Sequence, residues 1–151
     1  FGDAAGELLR FSAQLHDIGY YLNRSGHHKH GQYIIMNSAL SGFSHDELIM
    51  IGNIVRYHRK SLPTRDHIHY KILDQNSRFM VRVMAGILRL ADNLDRGGRG
   101  RVKELLVKTD KKSIQIHVVA DEPTEIEIQC AMGEKALIEQ VLDRSVKILQ
   151  A

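Results

Sequence analysis

The 151-residue sequence contains one cysteine, two prolines and no tryptophan. The single cysteine, Cys130, excludes an intramolecular disulfide framework and is typical of a reducing compartment, so we expect a cytoplasmic protein. No apolar run approaches the roughly 20 residues that a membrane-spanning helix needs. The first residues show no signal-peptide pattern. We therefore expect no membrane partner.

The composition is that of a globular protein, with 43% hydrophobic and 26% charged residues. The net charge is only +3, but the cations are unevenly distributed. They form two clusters: Arg56, Arg59, Lys60 and Arg65, and then Arg96, Arg99, Arg101 and Lys103. Clustered cations with few aromatic residues indicate a phosphate-bearing partner and no sequence-specific nucleic acid. The alternative is a solvated basic face.

The first two thirds of the chain have helical periodicity. Apolar spacing predicts helices at 4–17, at about 28–40, from Ser44 towards Pro63, and at 77–95. The third predicted helix has the clearest N-terminus, because Ser44 and Glu47 have the spacing of a capping box. His58 shares the apolar face of this helix.

The periodicity changes after the sequence "GGRG" at 97–100. The segments "KELLVKT", "SIQIHVVA" and "TEIEIQCAM" alternate at period two and predict an antiparallel β-meander, followed by a helix at 133–143 and a possible strand at 146–149. Cys130 is then expected in the core of a strand. We predict an α+β protein: a helical domain at 1–96, a linker at 97–100, and a small α+β subdomain at 101–151.

Histidines and aspartates recur on the predicted buried faces and helix ends. They are His16 and Asp17, one member of "HHKH" at 27–30, His58, and Asp92. Neutral imidazole and carboxylate are ligands for Mn²⁺, Fe²⁺, Zn²⁺ or Mg²⁺. The alternative is a buried hydrogen-bond network of histidine, aspartate and arginine that needs no ion.

The segments "LHDIG", "KHGQYII", "YHR" and "LADNLD" resemble the signature of HD-domain proteins, which are all-helical, metal-dependent phosphohydrolases. This resemblance implies an HD-like bundle with five candidate metal ligands: His16, Asp17, His30, His58 and Asp92. The HD pattern begins with a histidine on an earlier helix, and no histidine precedes Leu15. We therefore expect an N-terminally truncated or degenerate site.

Residues 15–63 and "LADNLDR" are similar to the C-terminal part of the exopolyphosphatase/guanosine pentaphosphate phosphohydrolase (Ppx/GppA) family. In that family the phosphatase chemistry resides in N-terminal actin-like domains, which this sequence does not contain. The chain begins at Phe1 without a methionine, so we expect a fragment or a processed product. Because the resemblance puts the chemistry in the actin-like domains, we expect no catalytic residues here. The resemblance implies an accessory domain of a homodimeric enzyme.

A second set of residues is suited to phosphate binding. His27, His28 and Lys29 lie where a loop gives way to a helix, so amide groups and positive side chains can face one anion. With Arg56, Arg59 and Lys60 they are predicted to bind polyphosphate or a guanosine polyphosphate. For the loop, the alternative is a solvated segment next to a polar helix end. For the chain as a whole, the alternatives are an autonomous HD-type phosphohydrolase and a pure interaction domain.

Overall fold

The computed structural model describes residues 2–151 and divides the chain into two compact units, the first ending at Leu88 and the second beginning at Arg89. The first unit contains α1 (Asp3–Leu15), a 3-10 helix (Ile18–Tyr21), α2 (His27–Met36), α3 (His45–Tyr57) and α4 (Ile68–Lys71). Helix α5 (Gln75–Leu94) includes the point of division. The predicted linker at 97–100 lies inside the second unit and stays a prediction.

Helix α3 forms the centre of the first unit. Every residue from 48 to 55 in it is buried, and Ile51, Ile54 and Val55 are fully inaccessible. Helix α2 packs closely on α3, because a Cβ atom on Gly31 would lie only 2.9 Å from Val55 Cγ1. The predicted helices are confirmed with shifted ends, and His58 caps the C-terminus of α3.

The predicted capping box is present at the start of α3. The Glu47 amide donates to Ser44 Oγ at 3.3 Å, and the Ser44 amide and hydroxyl donate to Glu47 Oε2 at 2.7 and 2.8 Å. The bond from the Ser44 amide, followed by that from the Ser44 hydroxyl, lowers the pKa of Glu47 below its usual 4.5.

Substituting Ser44→Ala is expected to reduce the free energy of unfolding by about 1 kcal/mol at neutral pH. A carboxylate with a lowered pKa stabilises the fold above its unfolded pKa, and this stabilisation disappears as pH falls through the folded value. The difference from the wild type should therefore shrink below the usual Glu47 pKa of 4.5. Urea unfolding at several pH values measures it. Ser41→Ala, in the exposed turn before α3, is the control and should change stability little; an equal loss there would contradict the cap.

The second unit contains a three-stranded sheet with two helices. Strands β1 (Val102–Thr109) and β2 (Ser113–Ala120) are antiparallel, whereas β3 (Ser145–Gln150) pairs with β2 in parallel. Helices α6 (Glu125–Gly133) and α7 (Ala136–Leu142) connect β2 to β3. A parallel pair requires such a crossover, because a tight hairpin joins only antiparallel strands.

The prediction of a third meander strand at "TEIEIQCAM" is wrong. These residues form α6, and the third strand is β3 at the C-terminal end of the chain. The helix is favoured because Glu127 and Ala131, one turn apart, are both buried, and Glu127 Oε1 accepts from Arg101 Nη1 at 3.4 Å. Cys130 is half-buried on this helix and not in a strand.

The α+β class, with a helical part followed by a small sheet, is confirmed. Among residues 2–151, no helix combines the length and apolar character that crossing a bilayer requires.

Candidate metal and phosphate site

Three side chains from different elements of the first unit converge at one end of its helices. His27 Nε2 lies 3.2 Å from Asp17 Oδ1 and 3.4 Å from His58 Nε2. His27 begins α2, His58 follows the last residue of α3, and Asp17 precedes the 3-10 helix. His27 and His58 are 1% exposed, whereas the Asp17 carboxylate is half-exposed. The site is thus a buried imidazole pair with one accessible carboxylate.

The histidine rings at this site are oriented by their own backbone. In His16, His27 and His58, Nδ1 lies 2.6, 3.1 and 2.6 Å from the carbonyl oxygen three residues earlier. A carbonyl oxygen can only accept, so Nδ1 carries the proton and Nε2 of the neutral ring carries the lone pair. Metal-binding histidines characteristically donate their second ring nitrogen in this way.

The donor set fits a divalent metal ion. One ligand atom from each of Asp17, His27 and His58 lies within 4.8 Å of the others. Ligands placed about 2.1 Å from a tetrahedral ion are separated from one another by about 3.4 Å. The distances of 3.2 and 3.4 Å at His27 Nε2 match this spacing. Two lone pairs and a carboxylate facing one another favour a positive charge nearby, which a bound cation or the Arg59 guanidinium, 3.4 Å from His27 Nε2, would supply.

Two further histidines border this group. His16 Nε2 lies 3.4 Å from Asp17 Oδ2 and its ring meets the His58 ring edge to face at 5.2 Å. His28 is 3% exposed, and its Nδ1 has no hydrogen-bond partner among residues 2–151. Burial, followed by the charges of its neighbours, lowers the pKa of His28 to about 4. His28 is therefore neutral at physiological pH.

Cationic side chains flank the group. Arg59 Nη1 lies 3.4 Å from His27 Nε2, and Lys60 is exposed next to it in sequence. Both charges contribute to the lowered pKa of His28, after burial and the charges of His58 and His27. Lys60 has a φ of 57°, a left-handed conformation that is uncommon for residues other than glycine. Side chains of the kind that bind metal ions therefore lie next to cations of the kind that bind phosphate.

The chain matches the family model described as Ppx/GppA phosphatase, domain III, over residues 2–142. It belongs to the Ppx/GppA phosphatase family. Three relatives named guanosine-5′-triphosphate,3′-diphosphate pyrophosphatase support this assignment. The protein of Pseudoalteromonas translucida (strain TAC 125) is 40% identical over 55 residues, or 36% of this chain and 11% of the relative.

The protein of Pseudoalteromonas atlantica (strain T6c / ATCC BAA-1087) is 30% identical over 87 residues, which cover 56% of this chain and 16% of the relative. The protein of Vibrio atlanticus (strain LGP32) is 32% identical over 87 residues, which cover 58% of this chain and 16% of the relative. The matched part of this Ppx/GppA domain III therefore spans between 11 and 16% of the length of these curated relatives.

Of the five metal ligands expected in this Ppx/GppA domain III, three lie next to one another in the first unit. His16, Asp17 and His58 lie together, whereas His30 is half-buried with Nε2 3.2 Å from the Ser25 carbonyl oxygen. Asp92 is half-buried near the end of α5, in the second unit. The roles of all five stay predictions.

His27 was predicted to bind phosphate, but the structure places it in the group with metal-ligand spacing. The sequence contains a pattern that places His27 on the buried face of α2. Gly31 and Ile35 follow His27 at intervals of four residues, and all three are buried on one face of α2. His30 is offset from that face. His28 is also buried, so of the "HHKH" stretch only Lys29 is fully exposed.

The second cationic cluster is partly neutralised by acidic side chains. Arg101 pairs with Glu122 at 3.3 Å and with Glu127 at 3.4 Å. Arg99 and Lys103 line a cavity of about 340 Å³ together with acidic residues. This makes the cluster a weaker candidate for phosphate than the cations beside His27.

Proposed function

We propose that this chain is the C-terminal accessory domain of a cytoplasmic exopolyphosphatase/guanosine pentaphosphate phosphohydrolase. In this proposal it binds the phosphate chain of polyphosphate or of a guanosine polyphosphate. It thereby extends the channel that leads to the N-terminal actin-like phosphatase domains of the parent chain. Membership of the Ppx/GppA family and the names of the three relatives support this role.

One observation carries the proposal: two cations, the half-buried Arg59 and the exposed Lys60, lie next to a group of metal-type ligands. Arg59 Nη1 is 3.4 Å from His27 Nε2, and Lys60 follows it in an exposed turn. Guanidinium and ammonium groups are the usual protein partners of phosphate oxygens. The carboxylate of Asp17 repels phosphate unless a cation neutralises it, which links phosphate binding to metal binding at this site.

Asp17, His27 and His58 would hold the divalent ion. An ion bound there would supply Lewis-acid polarisation of a phosphate oxygen. The chain's own contribution is to orient the imidazoles through their Nδ1 hydrogen bonds and to present Arg59 and Lys60 to the remaining phosphate charge.

The proposal also includes dimer contacts, supported by strand β1. Within residues 2–151 this strand pairs only with β2, so one of its edges is open in the part of the chain that the structure describes. Leu105, Leu106 and Val107, consecutive in β1, are 42, 47 and 56% exposed. An exposed apolar edge strand is a surface that another chain can cover.

Replacing both cations, as in Arg59→Gln with Lys60→Gln, is expected to weaken binding of a medium-length polyphosphate about tenfold, because two charged contacts are lost. Isothermal titration calorimetry with and without Mn²⁺ measures the affinity. Raising the salt concentration should weaken binding by the wild type, since the contacts are electrostatic.

The matched control removes two cations from the second unit, Arg99→Gln with Lys103→Gln. The proposal predicts little change for this control, whereas an equal loss in both variants would mean that only net charge matters. Sedimentation velocity on the same samples tests the dimer contacts, and a monomer at every concentration would contradict that part.

An autonomous metal-dependent phosphohydrolase is the second candidate, favoured by the convergence of imidazole and carboxylate ligands on one point. It predicts release of phosphate from a nucleotide by the Mn²⁺-loaded chain alone. Failure to release phosphate from any member of a nucleotide panel, with metal binding demonstrated, would exclude it and leave the accessory role.

A further inference from the structure

The open edge of strand β1 carries a symmetrical pattern of charge. From Glu104 to Lys108 the strand reads "ELLVK", with a carboxylate at one end, an ammonium group at the other and three apolar residues between them. All five residues are exposed. The pairing of β1 with β2 is irregular between Val102 and Glu104 and regular from Glu104 onwards. The pattern therefore lies on a regular strand edge, which is a surface that another strand can pair with.

The residues of β2 that lie opposite the two charges are uncharged. Glu104 faces Val119, and Lys108 faces Gln115. Both charged side chains share a face of the sheet with Leu106, because alternate residues of a strand point to the same side. The sheet of one chain thus gives neither charge an oppositely charged neighbour across the strands.

A second copy of this chain has a strand that matches the pattern. Two identical edge strands related by a two-fold axis pair antiparallel, and residues directly opposite each other point to the same face. The pairing can therefore shift only in steps of two residues, and one residue always lies at the axis. With Leu106 at the axis, Glu104 lies opposite the partner's Lys108, and Leu105 lies opposite the partner's Val107.

The two neighbouring registers lack this match. With Leu105 at the axis, Glu104 would face the partner's Leu106. With Val107 at the axis, Glu104 would face the partner's Asp110, which has the same charge. Opposite charges directly across two strands stabilise the pairing, whereas like charges destabilise it. Of these three registers, only the one centred on Leu106 pairs opposite charges with each other and apolar residues with each other.

We propose that two copies of this chain pair edge to edge through β1, with Leu106 at the two-fold axis. The three-stranded sheet of each copy then becomes half of a six-stranded sheet. A pair formed in this way covers the open β1 edge of both copies, so it cannot extend further through this strand. The inference rests on the proposed function and deepens it, because that function includes dimer contacts at β1 without assigning the residues that face one another.

Sedimentation velocity over a range of protein concentrations tests the inference with charge reversals. We expect Glu104→Lys and Lys108→Glu each to raise the dimer dissociation constant about tenfold, because two pairs of opposite charges become two pairs of like charges. An equimolar mixture of the two variants should recover the affinity of the wild type, because both pairs in the mixed dimer again have opposite charges. The double variant, Glu104→Lys with Lys108→Glu, should recover it for the same reason.

Lys147→Glu is the matched control. Lys147 is exposed in β3 and lies opposite Gln115, so it occupies the same face of the sheet as Lys108 but is on a different strand. This variant changes the net charge by as much as Lys108→Glu, and its dissociation constant should equal that of the wild type.

The possible outcomes separate the inference from the proposed function. A dimer that tolerates both β1 reversals, or single variants that do not recover when mixed, would overturn the inference and leave the proposed dimer contacts standing. An equal loss in Lys147→Glu would also overturn it. If the wild type is a monomer at every concentration, the dimer part of the proposed function fails and the inference fails with it, whereas the phosphate-binding part is unaffected.

Discussion

Substituting Gly19→Ala is expected to destabilise the first unit by about 3 kcal/mol, because the added methyl group has no space. A Cβ atom at this position would lie 1.9 Å from the His27 carbonyl oxygen and 2.6 Å from the Gly31 amide nitrogen. Both are backbone atoms, so no side-chain rotation relieves the clash. The 3-10 helix and α2 must move apart.

This movement would also displace His27, so the variant should lose stability and metal binding together. Urea unfolding measures the first effect and metal titration the second. Gly6→Ala, in the middle of α1, is the control, because its Cβ would meet nothing within 4 Å. Alanine favours a helix, so this control should gain about 0.5–1 kcal/mol. A Gly19→Ala protein within about 0.5 kcal/mol of the wild type would contradict the close packing.

Substituting Asp17→Asn is expected to abolish metal-dependent stabilisation. At a metal concentration 100 times its dissociation constant, a ligand that binds only the folded state stabilises it by about 2.7 kcal/mol. For a chain of this size that corresponds to an increase in Tm of roughly 5–10 °C. The variant keeps the shape of the side chain but removes its negative charge, so the increase should disappear. Differential scanning calorimetry with Mn²⁺, Fe²⁺ or Zn²⁺ measures it.

Asp66→Asn is the matched control, since Asp66 is an exposed aspartate of the same unit outside the ligand group. It should retain the full metal-induced increase in Tm. An increase that persists in Asp17→Asn would mean that the ion binds elsewhere. If no metal stabilises the wild type, the histidines and Asp17 form a hydrogen-bond network, and the metal part of the proposal is excluded.

The helical part was predictable because its signals are local. The capping box at Ser44 and Glu47 marked the start of α3, and the heptad-like apolar spacing that followed placed His58 on the buried face. The HD-like motif also directed attention to His16 and Asp17. These predictions needed only neighbours within one or two helical turns.

The parts that sequence reasoning missed depend on contacts distant in sequence. The alternation in "TEIEIQCAM" is too short to distinguish strand from helix, and the burial of Glu127 against Arg101 favours the helix. The choice between His27 and His30 depends on where α2 meets α3. That position is set by Gly31 against Val55, a contact 24 residues apart in the sequence.

The anchoring of three imidazole rings to carbonyl groups in their own segments has a consequence for ion selectivity. Because each hydrogen bond spans only three residues, the direction in which each Nε2 points is a local property of its segment. The separation between the rings instead depends on how closely the segments approach one another, which Gly19 and Gly31 limit. In the proposed metal site, the spacing of the ligands, and with it the ionic radius that fits between them, would therefore depend on packing at these two glycines, whereas the direction of each lone pair would depend on the local hydrogen bonds.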